Sequence, residues 1–139
     1  MFLLDTNVVS ELRKIRTSKG DRNVAAWEAG VPSAALYISA VTVFELERGV
    51  RLSERKDKIF GARLRMWLDE QVLPSFADRI LPVDLHVARR CAALHVPDPR
   101  PDRDAFIAAT ALVHGMTVVT RNTADFEPTG APVLNPWLA

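Results

Sequence analysis

The chain has 139 residues, 48% apolar and 25% charged, with a formal net charge of +1 at pH 7. That length suits one domain (1–139) with a real core, and the charge balance excludes a protein acting through a global excess of either sign. A single cysteine, Cys91, excludes an internal disulfide framework, and no apolar run reaches membrane-spanning length.

Phe2 to Leu4 is a short apolar run suited to a buried central strand. Asp5 breaks it before any signal peptide can form, so a cytoplasmic location is expected. Asp5-Thr6-Asn7 supplies cap-type residues, and Val8, Val9 and Leu12 begin a helical pattern. The basic stretch Arg13 to Arg22 reads as a loop, and Asn23 to Ala29 as a short helix stopped near Gly30 and Pro32.

Leu36-Tyr37-Ile38 is a second strand. Thr42 and Glu45 fit a capping box opening a helix to about Leu52. Lys56 to Val72 reads as a long helix ended by Pro74. Ile80 to Val83 suits an edge strand, because Pro82 cannot donate to a ladder. Asp84 can cap a helix from Leu85 to about His95. After the stiff loop Pro97 to Pro101, a helix runs to about His114. Either Asp102 or Asp104 at its start can point inward, with Asp104 favoured for the site and Asp102 read as the cap, able also to assist through water. Gly115 is a natural terminator. Thr117 to Thr120 is the clearest strand, Arg121 to Gly130 a loop with a turn of helix, and Val133-Leu134 a last strand. Short strands alternating with helices predict an α/β domain: a mainly parallel central sheet flanked by helices.

Sites in such sheets form beyond the carboxyl ends of the strands. Asp5 directly follows the first strand, Glu45 and Asp104 lie in first helical turns, and Asp125 follows the Thr117 strand. All fall on one edge. Gathered carboxylates repel one another unless a cation offsets them, and oxygen-only ligation suits Mg²⁺, with Mn²⁺ as the alternative. Each acid alone has a structural reading: a cap for Asp5, a capping-box partner for Glu45, a helix-start acid for Asp104, a loop acid for Asp125. The functional reading rests on their shared edge. Thr6, Asn7, Thr120 and Asn122 are candidate supporting residues that can orient carboxylates or water. Arg121 can contact a phosphate or serve as a surface charge.

Other chemistry finds less support. His86, His95 and His114 have no metal-ligand spacing, and no glycine-rich phosphate loop occurs. Cys91 reads as a half-buried helix residue, and Trp27, Trp67 and Trp137 as core or interface residues. An aspartyl phosphatase would want an acid two residues after its nucleophile, where this chain has Asn7. A pure binding module would not need to collect the acids. Arg48, Arg51, Arg55, Lys56, Lys58, Arg63 and Arg65 form a basic cluster that reads as a solvated face or as a contact surface.

The ordered set Leu4-Asp5-Thr6-Asn7, Ser39 to Leu46, Asp104 to Ala111 and Thr120 to Phe126 resembles PIN domains, and the chain looks like a VapC-type toxin. The ending Asn135-Pro136-Trp137 is similar to the FitB-like branch. The resemblance implies a toxin of a type II toxin–antitoxin system. Its activity would be Mg²⁺-dependent endoribonuclease cleavage, leaving 5′-phosphate and 3′-hydroxyl ends. It further implies inhibition by a cognate VapB-type antitoxin, a homodimer and toxin–antitoxin hetero-oligomers, and operator DNA bound only through the antitoxin. Carried over, Asp5, Glu45, Asp104 and Asp125 are the catalytic and metal-holding acids. The helices from Thr42 to Val72, both apolar and basic, are expected to contribute to the antitoxin groove.

Overall fold

The computed structural model describes residues 1–138; Ala139, the last residue of the expected domain, lies outside them. Five short strands form one sheet: β1 (Phe2–Leu4), β2 (Leu36–Ser39), β3 (Ile80–Leu81), β4 (Thr117–Val119) and β5 (Val133–Leu134). Their order is β3-β2-β1-β4-β5, and every pairing is parallel. The chain builds outward from β1 through β2 to β3, then returns to the other side of β1 for β4 and β5. The crevice between the carboxyl ends of β1 and β4 is therefore the topological switch point.

Side-chain alternation along β1 divides the core. Leu4 packs with Val8, Val9 and Leu12 of α1 (Thr6–Arg16), Val24 of α2 (Arg22–Ala29), and Leu46 and Val50 of α3 (Ala40–Lys56). Leu3 faces the other side, against Ile107, Ala108 and Ala111 of α7 (Asp102–His114) and Phe126 of α8 (Thr123–Phe126). The alanines of α7 leave room on both of its sides. Ala105 and Ala109 face outward against Val87 and Cys91 of α6 (Leu85–Leu94). Alanine is the best helix former, and its small side chain allows close packing on both faces. α7 ends at Gly115, whose φ of +66° is the left-handed conformation that glycine adopts at least cost.

Several boundaries differ from expectation. The basic run from Arg13 is helical as far as Arg16, because cations in a last turn complement the helix dipole. α3 begins at Ala40 rather than after Thr42, since Ser39 is the cap and its hydroxyl accepts the Val41 N–H at 3.0 Å. It also continues past Leu52 to Lys56. Asp57 then caps α4 (Lys58–Met66), accepting the N–H groups of Ile59 and Phe60. Beyond α4, Trp67–Val72 widens into a π-helical stretch, in which the Leu73 N–H reaches back to the Leu68 carbonyl. Pro74 does not end the helical path but sits inside the next single turn, α5 (Leu73–Ser75). Asp102 is not a cap. It is the first residue of α7 after Pro101, and its side chain is 83% exposed, 3.4 Å from His95 Nε2.

The basic cluster is partly structural. Arg65 forks onto Glu47 with bonds of 3.0 and 2.8 Å and also reaches Glu54 at 3.0 Å, tying α4 to α3. Arg51 adds a bond to Glu47 at 2.8 Å. Cys91 is buried rather than half-buried, and that burial raises its thiol pKa, which disfavours the reactive thiolate. Trp27 meets Phe2 edge-on, and Trp67 and Trp137 pack against the core. Among the described residues, no helix is long and apolar enough to cross a membrane.

Candidate active site

Asp5 leaves β1 at the switch point. Its backbone N–H donates to Val119 at 2.9 Å, which fixes it beside the end of β4. Its carboxylate then does two things. Oδ1 accepts the Thr6 N–H at 2.8 Å and caps α1, and Oδ2 accepts the Thr120 hydroxyl at 2.8 Å across the sheet. The Asn7 amide adds a longer contact to Oδ2 at 3.4 Å. Capping and site-building are thus the same geometry. Asp5 is 6% exposed, and burial raises its pKa to about 6 against the pull of Thr120 and Thr6; Asp104 and Glu45 push it further up.

Thr6 connects this carboxylate to the next. Its hydroxyl donates to Glu45 Oε1 at 2.7 Å and stands 3.2 Å from the Thr42 hydroxyl. Because α3 starts at Ala40, Thr42 and Glu45 lie one turn apart on its inward face. Glu45 is therefore not a capping-box partner. Thr42 is wholly buried.

Asp104, in the first turn of α7, is half-buried. Burial raises its pKa first, followed by the charges of Asp125 and Glu45, while Arg103 lowers it. Asp125 is exposed in α8 and acts on the group through charge alone. Asp5, Glu45 and Asp104 thus form a mutually repelling set, with Asp125 at its margin. Among the described residues, no three His, Cys, Asp or Glu side chains form a ready-made ligand cage. Asp102 turns away to His95.

Thr120 is fully buried and also accepts the Asn122 N–H at 3.0 Å and the Asn7 amide at 3.4 Å. Asn122 therefore contributes its backbone to the loop after β4. Arg121 stacks over Trp137 at 5.3 Å, while its N–H approaches Asn7 Oδ1 at 3.4 Å. Trp137 in turn accepts the Asn23 amide at 2.7 Å, which folds the C-terminal segment against α2 and the margin of the site.

Three contributors were not foreseen. Ser39 caps α3, Thr42 partners Thr6, and Arg103 places Nε 3.8 Å from Glu45 Oε2. Thr42 and Glu45 carried a signal in their spacing, but a capping box has the same spacing as a shared helix face. Arg103 carried none beyond its place next to Asp104.

The pattern of the PIN domain family matches residues 2–130. The chain is 40% identical to VapC ribonuclease Y4jK of Sinorhizobium fredii, over 99% of this chain and 98% of that protein. It is also 40% identical to Toxin FitB of Neisseria gonorrhoeae, over 99% of each. The solved structure of FitAB bound to an IR36 DNA fragment superposes with a TM-score of 0.88 at 37% identity, covering 100% of this chain and 97% of that one.

Proposed function

The chain belongs to the PIN domain family, in its VapC and FitB-like branch, and from that premise we propose that it is a toxin that cleaves RNA endonucleolytically. The observation that carries this reading is the junction at the switch point. Asp5 is buried and bonded to Thr120 across β1 and β4, within charge range of Glu45 and Asp104.

A divalent cation fits these residues. The donors are all oxygens, and Asp5 and Asp104 both resist ionisation because burial and neighbouring acids oppose it. Asp5, Glu45, Asp104 and Asp125 are the residues that would hold Mg²⁺ or Mn²⁺, directly or through retained water. When bound, the ion supplies neutralisation of the charge building on the phosphodiester and a lower pKa for the attacking water.

The chain's own groups prepare the site. Thr120 and the Thr6 N–H favour the ionised form of Asp5 and fix its two oxygens. Thr6 orients Glu45 from the opposite side. Asp104 stands at the rigid N-terminal end of α7, where a carboxylate can accept the proton of the attacking water. Asn7 and Asn122 hold Thr120 in place through the bonds already described.

By the same premise, the partner is an antitoxin encoded beside the toxin. The proposed assembly is a homodimer joined by antitoxin, with operator DNA contacted through the antitoxin alone. Residues 1–139 are proposed to act as one domain.

The test is a short pulse of expression followed by sequencing of RNA ends, together with cleavage by purified toxin freed of antitoxin. Wild type should cleave with Mg²⁺ or Mn²⁺ and stop with EDTA, and Asp5→Asn should lose at least ~100-fold in rate. Equal cleavage by Asp5→Asn would exclude the site. No cleavage by wild type would exclude the activity.

A further inference from the structure

Arg103 is the cation closest to the acids, and nothing in the fold requires it there. A positive side chain in the first turn of a helix opposes the helix dipole. Its one close partner is Glu45, at 3.8 Å, which is beyond hydrogen-bond distance. The guanidinium is about half exposed, and among the described residues it donates no hydrogen bond. Some arginines here are anchored, such as Arg65 to Glu47 and Glu54, Arg79 to the carbonyls of Ser33, Leu36 and Ser75, and Arg100 to the Leu94 carbonyl. Among the described arginines that are not, Arg103 is the one within 4 Å of a site carboxylate. Glu45 itself is fixed by Thr6 from its other oxygen. The pair therefore joins a fixed carboxylate to a loosely held guanidinium with its donors open to solvent.

An RNA phosphate approaching this site meets the field of Asp5, Glu45 and Asp104, which repels it. A guanidinium on the rim offsets that repulsion and offers planar paired donors matched to two phosphate oxygens. Resting on the nuclease reading, we propose that Arg103 is a substrate-binding residue that leaves Glu45 to hold an RNA backbone phosphate at the mouth of the acidic site. Glu45 parks the side chain when no RNA is bound.

The test measures RNA binding and cleavage separately. Anisotropy of a 5′-fluorescein single-stranded RNA is read in EDTA across a salt series for wild type, Arg103→Gln and Arg103→Lys. Arg103→Gln should weaken binding about tenfold and flatten the slope of log affinity against log salt by about 0.7, the value for one lost contact on a single strand. Arg103→Lys should keep the slope and recover part of the affinity. In cleavage with Mn²⁺, Arg103→Gln should raise KM with kcat little changed. Wild-type affinity and slope in Arg103→Gln would overturn the proposal, as would a loss confined to kcat. Wild type that binds RNA with the Arg103 dependence but never cleaves it would instead overturn the nuclease reading alone. Wild type that neither binds RNA nor cleaves it with Mn²⁺ would overturn both, and wild type that cleaves without measurable Arg103-dependent binding would overturn the Arg103 proposal alone.

Discussion

Asp5 sits where its charge is costly. Burial raises its pKa from 3.8 to about 6, which corresponds to roughly 3 kcal/mol of destabilisation at neutral pH. The sign follows from proton counts. Between those values the folded protein binds more protons at Asp5 than the unfolded chain does. This group's contribution is therefore most favourable below about 3.8 and is lost as pH rises through about 6. Asp5→Asn should raise the stability of the metal-free protein at neutral pH by about 1–2 kcal/mol, read by urea unfolding in EDTA. The mutant should also lose the wild type's extra slope across that pH window. Identical pH profiles for the two proteins would contradict the burial argument. Mn²⁺ should raise the unfolding temperature of wild type and leave Asp5→Asn nearly unmoved. The gathering of Asp5, Glu45 and Asp104 was legible in the sequence because residues just beyond the strands' carboxyl ends and at the helix starts meet at a switch point. Arg103 was not, because its role depends on which way one long side chain leaves α7. Asp102 was misread for a related reason: a carboxylate at a helix start caps only when the backbone places it before the first turn, and Pro101 occupies that place.

Elements were legible where apolar pattern and punctuation agreed, as at β1, β4, α6 and α7. They were less so between Ala40 and Ser75, where long helical periodicity hides its breaks. The break at Asp57 turns the chain so that α4 packs back on α3, and that contact depends on Gly61. A Cβ added to Gly61 would fall well inside contact distance of the Glu54 backbone. Gly61→Ala would ordinarily favour a helix, by about 1 kcal/mol. Here the clash should dominate, and a net loss of roughly 1–3 kcal/mol is expected in denaturant unfolding. A stabilised Gly61→Ala would show that the two helices separate easily. Gly49, which has open space beside it, is the control: Gly49→Ala should be stabilising.

At the scale of the whole molecule, α3 links the acids to an outer surface. Glu45 points inward to Thr6, while its neighbour Phe44 is 55% exposed. Phe44 and Leu52 lie with Arg48, Arg51 and Arg55 along a groove of about 460 Å³. On the other side of α4, Arg13, Lys14, Arg16, Lys19 and Arg63 surround Phe60 and Trp67 in a cleft of about 780 Å³. Exposed apolar groups flanked mainly by cations, with Glu47 of the α3 groove already engaged by Arg51 and Arg65, suit a partner whose docking segment is apolar and acidic. A partner seated on α3 would lie within a few residues of Glu45, so docking and inhibition can share one helix. Arg48→Glu with Arg51→Glu should therefore weaken the complex with the proposed antitoxin by about tenfold or more, and reduce its sensitivity to salt. Arg51 also pairs with Glu47, so unfolding must be measured alongside, and the Arg48→Glu single variant carries the argument if the double variant is destabilised. RNA cleavage by the freed variants should stay at the wild-type rate, because neither arginine contacts the acids. Undiminished antitoxin affinity in a stably folded Arg48→Glu protein would move the docking surface away from α3, towards the cleft between α1 and α4.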